Sequence, residues 1–318
     1  MKPPYSITSD ILSLVASVSE KLGAVNASRL QVPRTELRKA NRIRTIQSTL
    51  GIEGNTLQLD QITVILEHKR VVAPEKDILE VKNAIKVYNA FQSFDPRRMD
   101  SLLKSHALLM EGLVKQPGKF RASGAGIAKG SVLSHMAPDA SMVHGLMKDL
   151  FDYLKKDKDP VLIRSCVFHY ELEFIHPFED GNGRMGRLWQ SLLLTELNPV
   201  FAFLPVEAII KQRQEGYYRA LEQSDKEGQS TAFIIFMLNA IDAALVELLD
   251  LRRPPLTTEE RISIFKSTWG KESFSRKNYM DHFKEISAPT ASRDLRWAVM
   301  KNILLKEGDK RNTLYQFV

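Results

Sequence analysis

The chain has 318 residues, 43% of them hydrophobic and 26% charged, with a formal net charge of +7. That supplies a sizeable core and room for two or three domains, and it excludes a chain disordered over most of its length. One cysteine, Cys166, excludes an internal disulfide framework, and no uninterrupted run of about 18 apolar residues marks a membrane span. The start, Met1-Lys2-Pro3-Pro4, lacks the layout of a secretory signal, so the expected location is cytoplasmic, with no membrane partner. The basic balance suits ATP, nucleic acid or an acidic protein, although many soluble proteins carry as much charge with none of these.

Helical periodicity dominates the chain. Ile11, Leu12, Leu14, Val15 and Val18 recur at helical spacing between Ser9 and Leu22. After Pro33 and a basic stretch from Arg34 to Arg44, Ile43, Ile46 and Leu50 predict a helix ending near Gly51. Helices are also expected over Leu79 to Phe91 and Met99 to Val114. Gly124, Gly126 and Gly130 then predict a loop or short hairpin. Helical spacing resumes over 141–154, 160–174, 181–197, 212–223 and 232–251. Arg252-Arg253-Pro254-Pro255 reads as a linker before a last unit of about 60 residues.

The most informative stretch is His176-Pro177-Phe178-Glu179-Asp180-Gly181-Asn182-Gly183-Arg184-Met185-Gly186-Arg187. Glycines on both sides of Asn182 let the backbone bend and approach a ligand. The first amides of the following helix point outward at the positive end of its dipole, which is a ready anion site. Arg184 and Arg187, three apart, share a helical face and can fork onto phosphate oxygens. Asp180 can hold a magnesium ion beside phosphates. The imidazole of His176 can accept the proton of an attacking hydroxyl. Each feature alone is weak, since a lone histidine or an Arg pair is usually structural, but their conjunction in twelve residues is specific.

These residues resemble the signature of the Fic family, H-x-F-x-[DE]-G-N-G-R-x-x-R, which His176, Phe178, Asp180, Gly181, Asn182, Gly183, Arg184 and Arg187 match at every fixed position. The resemblance implies a protein adenylyltransferase, a nucleotidyltransferase that moves AMP from ATP to a Ser, Thr or Tyr hydroxyl of a protein, itself included. It implies His176 as general base, Asp180 as ligand of Mg2+ (or Mn2+), and an ATP site formed by Gly181, Asn182, Gly183, Arg184, Met185, Gly186 and Arg187. Phe178 is a packing residue. Tyr217-Tyr218 resembles a tyrosine pair that lines the adenine pocket in relatives; a core role for either ring is the competing reading. The resemblance extends over residues 40–245.

Upstream, Thr49, Glu53 and Gly54 look like the inhibitory pattern of the same family, [ST]-x-x-x-E-[GN]. The resemblance then implies that Glu53 pairs with Arg187 and denies it to the γ-phosphate. In some relatives the equivalent glutamate also supports removal of AMP.

The implied fold is mainly α: a Fic-type helical bundle with a small β-hairpin flap, plus a C-terminal winged helix-turn-helix. The expected domains are an N-terminal helical region (1–98) with the inhibitory helix at about 40–54, a catalytic domain (99–251) and the winged helix-like unit (257–318). The flap segment, Ala125 to Gly130 and Ser134 to Pro138, departs from the family pattern in having few aromatics, which bears on target choice. In the last unit Thr290 is the expected cap of a third helix, with Ser292, Arg293 and Arg296 outward and Lys310 and Arg311 in the wing. Its 12 basic and 8 acidic residues leave DNA open as a partner, and a nucleotide-sensing DNA-binding transcriptional regulator is the alternative function. A homodimer is also left open. The histidines and the cysteine lack zinc-site spacing.

Overall fold

The computed structural model describes residues 2–28, 35–124, 126–129, 132–250, 256–270, 272–284, 286–308 and 313–318. The Arg252–Pro255 linker, Pro33, Lys310, Arg311 and parts of the expected flap (Ala125, Gly130) lie outside the described residues. The chain divides into two units, Met1–Asp250 and Leu251–Val318, each with its own hydrophobic core. The fold is mainly α.

In the first unit, the Thr8 hydroxyl accepts the Ile11 N–H and opens α1 (Ser9–Ala27). Its buried residues Ile11, Val18, Leu22 and Val25 form one stripe, which packs on α11 (Thr231–Asp250). α2 (Thr35–Ile52) buries Ile43, Ile46 and Leu50, and packs on α9 (Val206–Gln212) and α4 (Glu75–Asn89). α3 (Leu59–Leu66) and α9 have only 8 and 7 residues, too few for a helical period to stand out in sequence. After α5 (Met99–Leu109) the hairpin forms: β1 (Gly126–Lys129) runs antiparallel to β2 (Val132–Met136), with a register shift between Ile127 and Ala128. α6 (Ala140–Lys156), α7 (Val161–Ile175), α8 (Asn182–Leu194) and α10 (Gln214–Glu227) complete the bundle.

α7 and α8 lie side by side at its centre. Eleven of the 15 residues of α7 and 12 of the 13 of α8 are buried, so both are enclosed all round rather than amphipathic. α11 is also long and apolar enough to cross a membrane by length and composition. Here Phe233, Ile234, Met237, Leu238, Ile241 and Leu245 are buried, and α1, α7, α9 and α10 pack around it.

In the second unit, a capping box of Thr257 and Glu260 opens α12 (Thr258–Trp269). β3 (Phe274–Ser275), α13 (Arg276–His282), α14 (Ala288–Met300), β4 (Leu304–Glu307) and β5 (Leu314–Phe317) follow, with the strands in the antiparallel order β3-β5-β4. The cap of α14 is Ser287, not Thr290: its hydroxyl accepts the Thr290 N–H, and Pro289 sits in the first turn where no N–H is needed. Phe265 lies edge-on to Phe274 and Tyr279, with centroids 4.8 and 5.0 Å away. Buried Arg261 meets fully buried Asp294 through two hydrogen bonds of 2.6 and 2.8 Å.

Candidate active site

α7 ends at His176, whose backbone is left-handed (φ 50°, ψ 58°). For a residue with a Cβ this conformation costs roughly 1–2 kcal/mol, so the surroundings must hold it. Buried Arg121 does so: its guanidinium donates to the carbonyls of His176 (2.7 Å), Ile175 (3.2 Å), Ser123 (2.8 Å) and Pro138 (2.6 Å), and its own N–H donates to the Pro177 carbonyl. The His176 side chain is half-buried, with Nδ1 3.3 Å from the Glu173 carbonyl oxygen.

Beyond His176 the loop is fixed from inside. Phe178 is fully buried and stacks on His106 at 3.7 Å. The Gly118 N–H donates to Nδ1 of His106, so Nε2 carries the proton and donates to the Asp180 carbonyl at 3.0 Å. Burial holds the His106 pKa down to about 4, which keeps this one-proton form. The Asn182 side chain closes the loop, its Oδ1 accepting from the Phe178 N–H (2.9 Å) and its Nδ2 donating to the Phe178 carbonyl (3.0 Å).

Gly181, at φ 88°, is the N-cap of α8 and turns the chain into it. The first helical bond runs from the Met185 N–H to the Gly181 carbonyl, so the N–H groups of Asn182, Gly183 and Arg184 precede the ladder. Asp180, its side chain half exposed, accepts from Gly181 N–H and from Arg184 Nη2 at 2.9 Å. Partial burial pushes its pKa up, but Arg184 and these hydrogen bonds bring it below the ordinary value overall. Arg184 also donates to buried Glu80 at 3.3 Å, and Glu80 accepts from Asn55 at 2.8 Å.

One turn later, Arg187 is buried and raised in pKa: burial disfavours its charge, and Glu53, together with Tyr217 and Glu173, more than restores it. Its Nη2 donates to Glu53 Oε1 at 2.6 Å and to the Thr49 carbonyl at 3.1 Å, while Nε donates to the Thr49 hydroxyl at 3.0 Å. Nη1 is buried with no hydrogen-bond partner among the described residues. A Cβ at Gly183 would stand 2.5 Å from Glu53 Oε1 and 3.1 Å from Arg187 Nη1. The Glu53 carboxylate therefore lies against the start of α8, where the helix dipole and free amides attract an anion.

The expected residues thus separate into groups. Asp180, Gly181, Asn182, Gly183, Arg184 and Arg187 lie at or within the first turns of α8, His176 caps the preceding helix, and Glu53 joins them from α2. Met185 and Gly186 face the core instead: Met185 is fully buried with its sulfur 3.9 Å from Ser105 Oγ, and a Cβ at Gly186 would meet the His169 ring at 2.4 Å. Tyr217, only 1% exposed, has its hydroxyl 3.0 Å from Glu173 Oε1 and 3.1 Å from His169 Nε2, among Phe233 and Phe236. Tyr218 is half-buried, and its hydroxyl donates to the Ile52 carbonyl at 3.4 Å. Sequence reasoning missed Arg121, Glu80 and Glu173. Two carboxylates and a guanidinium at core depth carry no local signal, since the partners that tie them to the site (Asn55 and Arg184 for Glu80, His176 for Arg121, Tyr217 for Glu173) are 25–104 positions away in the chain.

The Fic/DOC family model matches residues 97–194, which hold the whole loop from His176 to Arg187, while Glu53 and the tyrosines lie outside the match. A solved Fic family protein from Desulfovibrio desulfuricans G20 is 39% identical, covering 100% of this chain and 98% of that one, with a TM-score of 0.77. The chain belongs to the Fic family. Fic-1 from C. elegans, 20% identical with a TM-score of 0.60 over 76% of this chain and 71% of that one, shares the fold. Among curated relatives, a protein adenylyltransferase Fic of Nematostella vectensis is 27% identical over 249 residues, and one of Culex quinquefasciatus is 29% identical over 259. These alignments take in 74% and 76% of this chain but 55% and 49% of the relatives, so this Fic chain spans about half the length of the curated relatives it matches.

Proposed function

We propose that the protein is an adenylyltransferase that moves AMP from ATP to a protein hydroxyl and is held back by Glu53. The arrangement that carries the reading is the His176 imidazole held at the end of α7, beside a helix start with unpaired amides and two arginines. Relatives named protein adenylyltransferase support it.

In this mechanism the target hydroxyl oxygen attacks the α-phosphorus, the bond from that phosphorus to the bridging oxygen breaks, and pyrophosphate leaves. The hydroxyl proton passes to His176. Its Nδ1 faces the Glu173 carbonyl, so the tautomer protonated there presents Nε2 as the base. The amides at the start of α8 and the unpartnered Nη1 of Arg187 receive phosphate oxygens, and positioning plus charge stabilisation supplies most of the rate. A half-exposed, ionised carboxylate beside such a cradle fits a magnesium ion, and Asp180 would hold it; when bound, the ion would offset phosphate charge. Replacing His176 with Ala should lower AMP transfer by roughly two to four orders of magnitude, read by intact-protein mass spectrometry with labelled ATP. Full activity of that variant would refute the assignment.

Inhibition follows from occupancy. The Glu53 carboxylate holds Arg187 and fills the anion position at Gly183, so the γ-phosphate and Glu53 compete for one place. Glu53→Gly should raise self-modification roughly fivefold, because a close, partly buried ion pair is worth about 1 kcal/mol. No rise in a labelled-ATP assay would remove the brake from this account. For the second unit, the order of three helices and a final hairpin, with Arg293 and Arg296 exposed on α14, favours a winged helix.

A further inference from the structure

A row of polar side chains runs from the candidate site into the core: Glu173, Tyr217, His169, Gln190 and Cys166. His169 is fully buried, and burial pushes its pKa down to about 3, so it carries one ring proton. Gln190 Nε2 donates to Cys166 Sγ at 3.2 Å, which turns its Oε1 toward His169 Nδ1 at 2.7 Å. The single imidazole proton is then on Nδ1, and Nε2 is an acceptor. The Tyr217 hydroxyl, 3.1 Å away, is its donor. Tyr217 has one proton, so once it is given to His169 the phenol oxygen can only accept from Glu173 Oε1 at 3.0 Å. The count closes if Glu173 brings a proton of its own.

We propose that Glu173 is a positioning residue kept as a neutral carboxylic acid, its proton directed at Tyr217. Arg187 then has one anionic partner at a time: Glu53 in this conformation, the terminal phosphate of a nucleotide once Glu53 withdraws. The second anion's identity rests on the adenylyl-transfer reading; the protonation of Glu173 does not. The reverse order would need the Gln190 amide turned over and Cys166 S–H donating, and would leave a second carboxylate charge in the core next to Glu53.

The charged and titratable groups around Glu173 agree. Glu53 faces it from α2, Arg187 from α8, and Tyr217, Tyr218 and Asp225 from α10, with His169 one turn back on α7 and the His176 ring at the Glu173 carbonyl one turn on. Burial first, then repulsion from Glu53, outweighs the pull of Arg187 and of the contact with Tyr217, and raises the Glu173 pKa to about 7. An ionised Glu173 would neutralise Arg187 permanently and repel a phosphate at Gly183, where its Oε1 lies 3.1 Å from the position a Cβ would take.

The test uses the full chain labelled with 13C at glutamate carboxyls. The resonance lost in Glu173→Gln should titrate near pH 7; a midpoint near the ordinary 4.5 would overturn the proposal. ATP affinity by calorimetry, in the Glu53→Gly background, should weaken about five- to tenfold as pH rises through the Glu173 titration, which lies lower there than in the parent protein because the repulsion from Glu53 is gone. Glu53→Gly/Glu173→Gln should show no such additional fall, because the amide donates to Tyr217 and cannot ionise. Equal pH dependence in both would also overturn it. If ATP does not bind at all, the adenylyl-transfer reading fails, and the carboxyl titration still decides the protonation of Glu173.

Discussion

Gly186 and Glu207 show how closely single side chains are fitted behind the motif. A Cβ at Gly186 would lie 2.4 Å from Cδ2 of His169, whose ring is held at both nitrogens and cannot swing aside. Gly186→Ala should therefore destabilise the protein by roughly 1–3 kcal/mol, despite the better helix propensity of alanine, as denaturant unfolding would show. Glu207 is 1% exposed with Oε2 unpartnered among the described residues, and burial raises its pKa to about 7. The unfolded chain ionises near the ordinary 4.5, so folding stability is full below that and falls as pH rises toward 7. Glu207→Gln should remove roughly 1–3 kcal/mol of that fall, seen as a flatter melting temperature between about pH 5 and pH 8.

At the scale of elements, α2 ends against the local rules. A carboxylate just past its C-terminus meets the negative end of the dipole, and Gly54 (φ 92°) turns the chain immediately after it. The compensation comes from another helix: Arg187 of α8 takes the Glu53 carboxylate together with the Thr49 hydroxyl and carbonyl. Thr49→Val should loosen this end of α2, and raise AMP transfer by a smaller factor than Glu53→Gly because the ion pair stays. Parallel labelled-ATP assays of the two variants would rank them, and a larger rise for Thr49→Val would contradict the order. A local conflict resolved by a tertiary partner is what a functional contact looks like in a helical protein.

For the whole molecule, separate cores in Met1–Asp250 and Leu251–Val318 predict separable unfolding. Asp294 is the buried partner of Arg261 and also meets Thr258 and Tyr279. Asp294→Ala would leave that guanidinium uncompensated and should cost the second unit about 3–5 kcal/mol. Calorimetry should then show one early transition, with the transition of the first unit in place. A uniform shift of both would mean that the units unfold together. In the first unit, α1 packs along α11, so the N-terminal helix shares the core of the bundle that holds the motif.

The long helices and the loop from His176 to Arg187 could be read directly, because their information is local: apolar spacing for the first, a glycine-framed turn between ionisable residues for the second. Thr49 and Glu53 could be picked out only by likeness to a pattern, and α3 and α9 were too short to show a period. What the tertiary structure decided was each residue's company. It placed Met185 and Gly186 against the core, closed Tyr217 into a row with His169 and Glu173, and brought Arg121 and Glu80 to the motif from distant segments. Burial and proton sharing depend on groups far apart in the chain, and no local pattern encodes them.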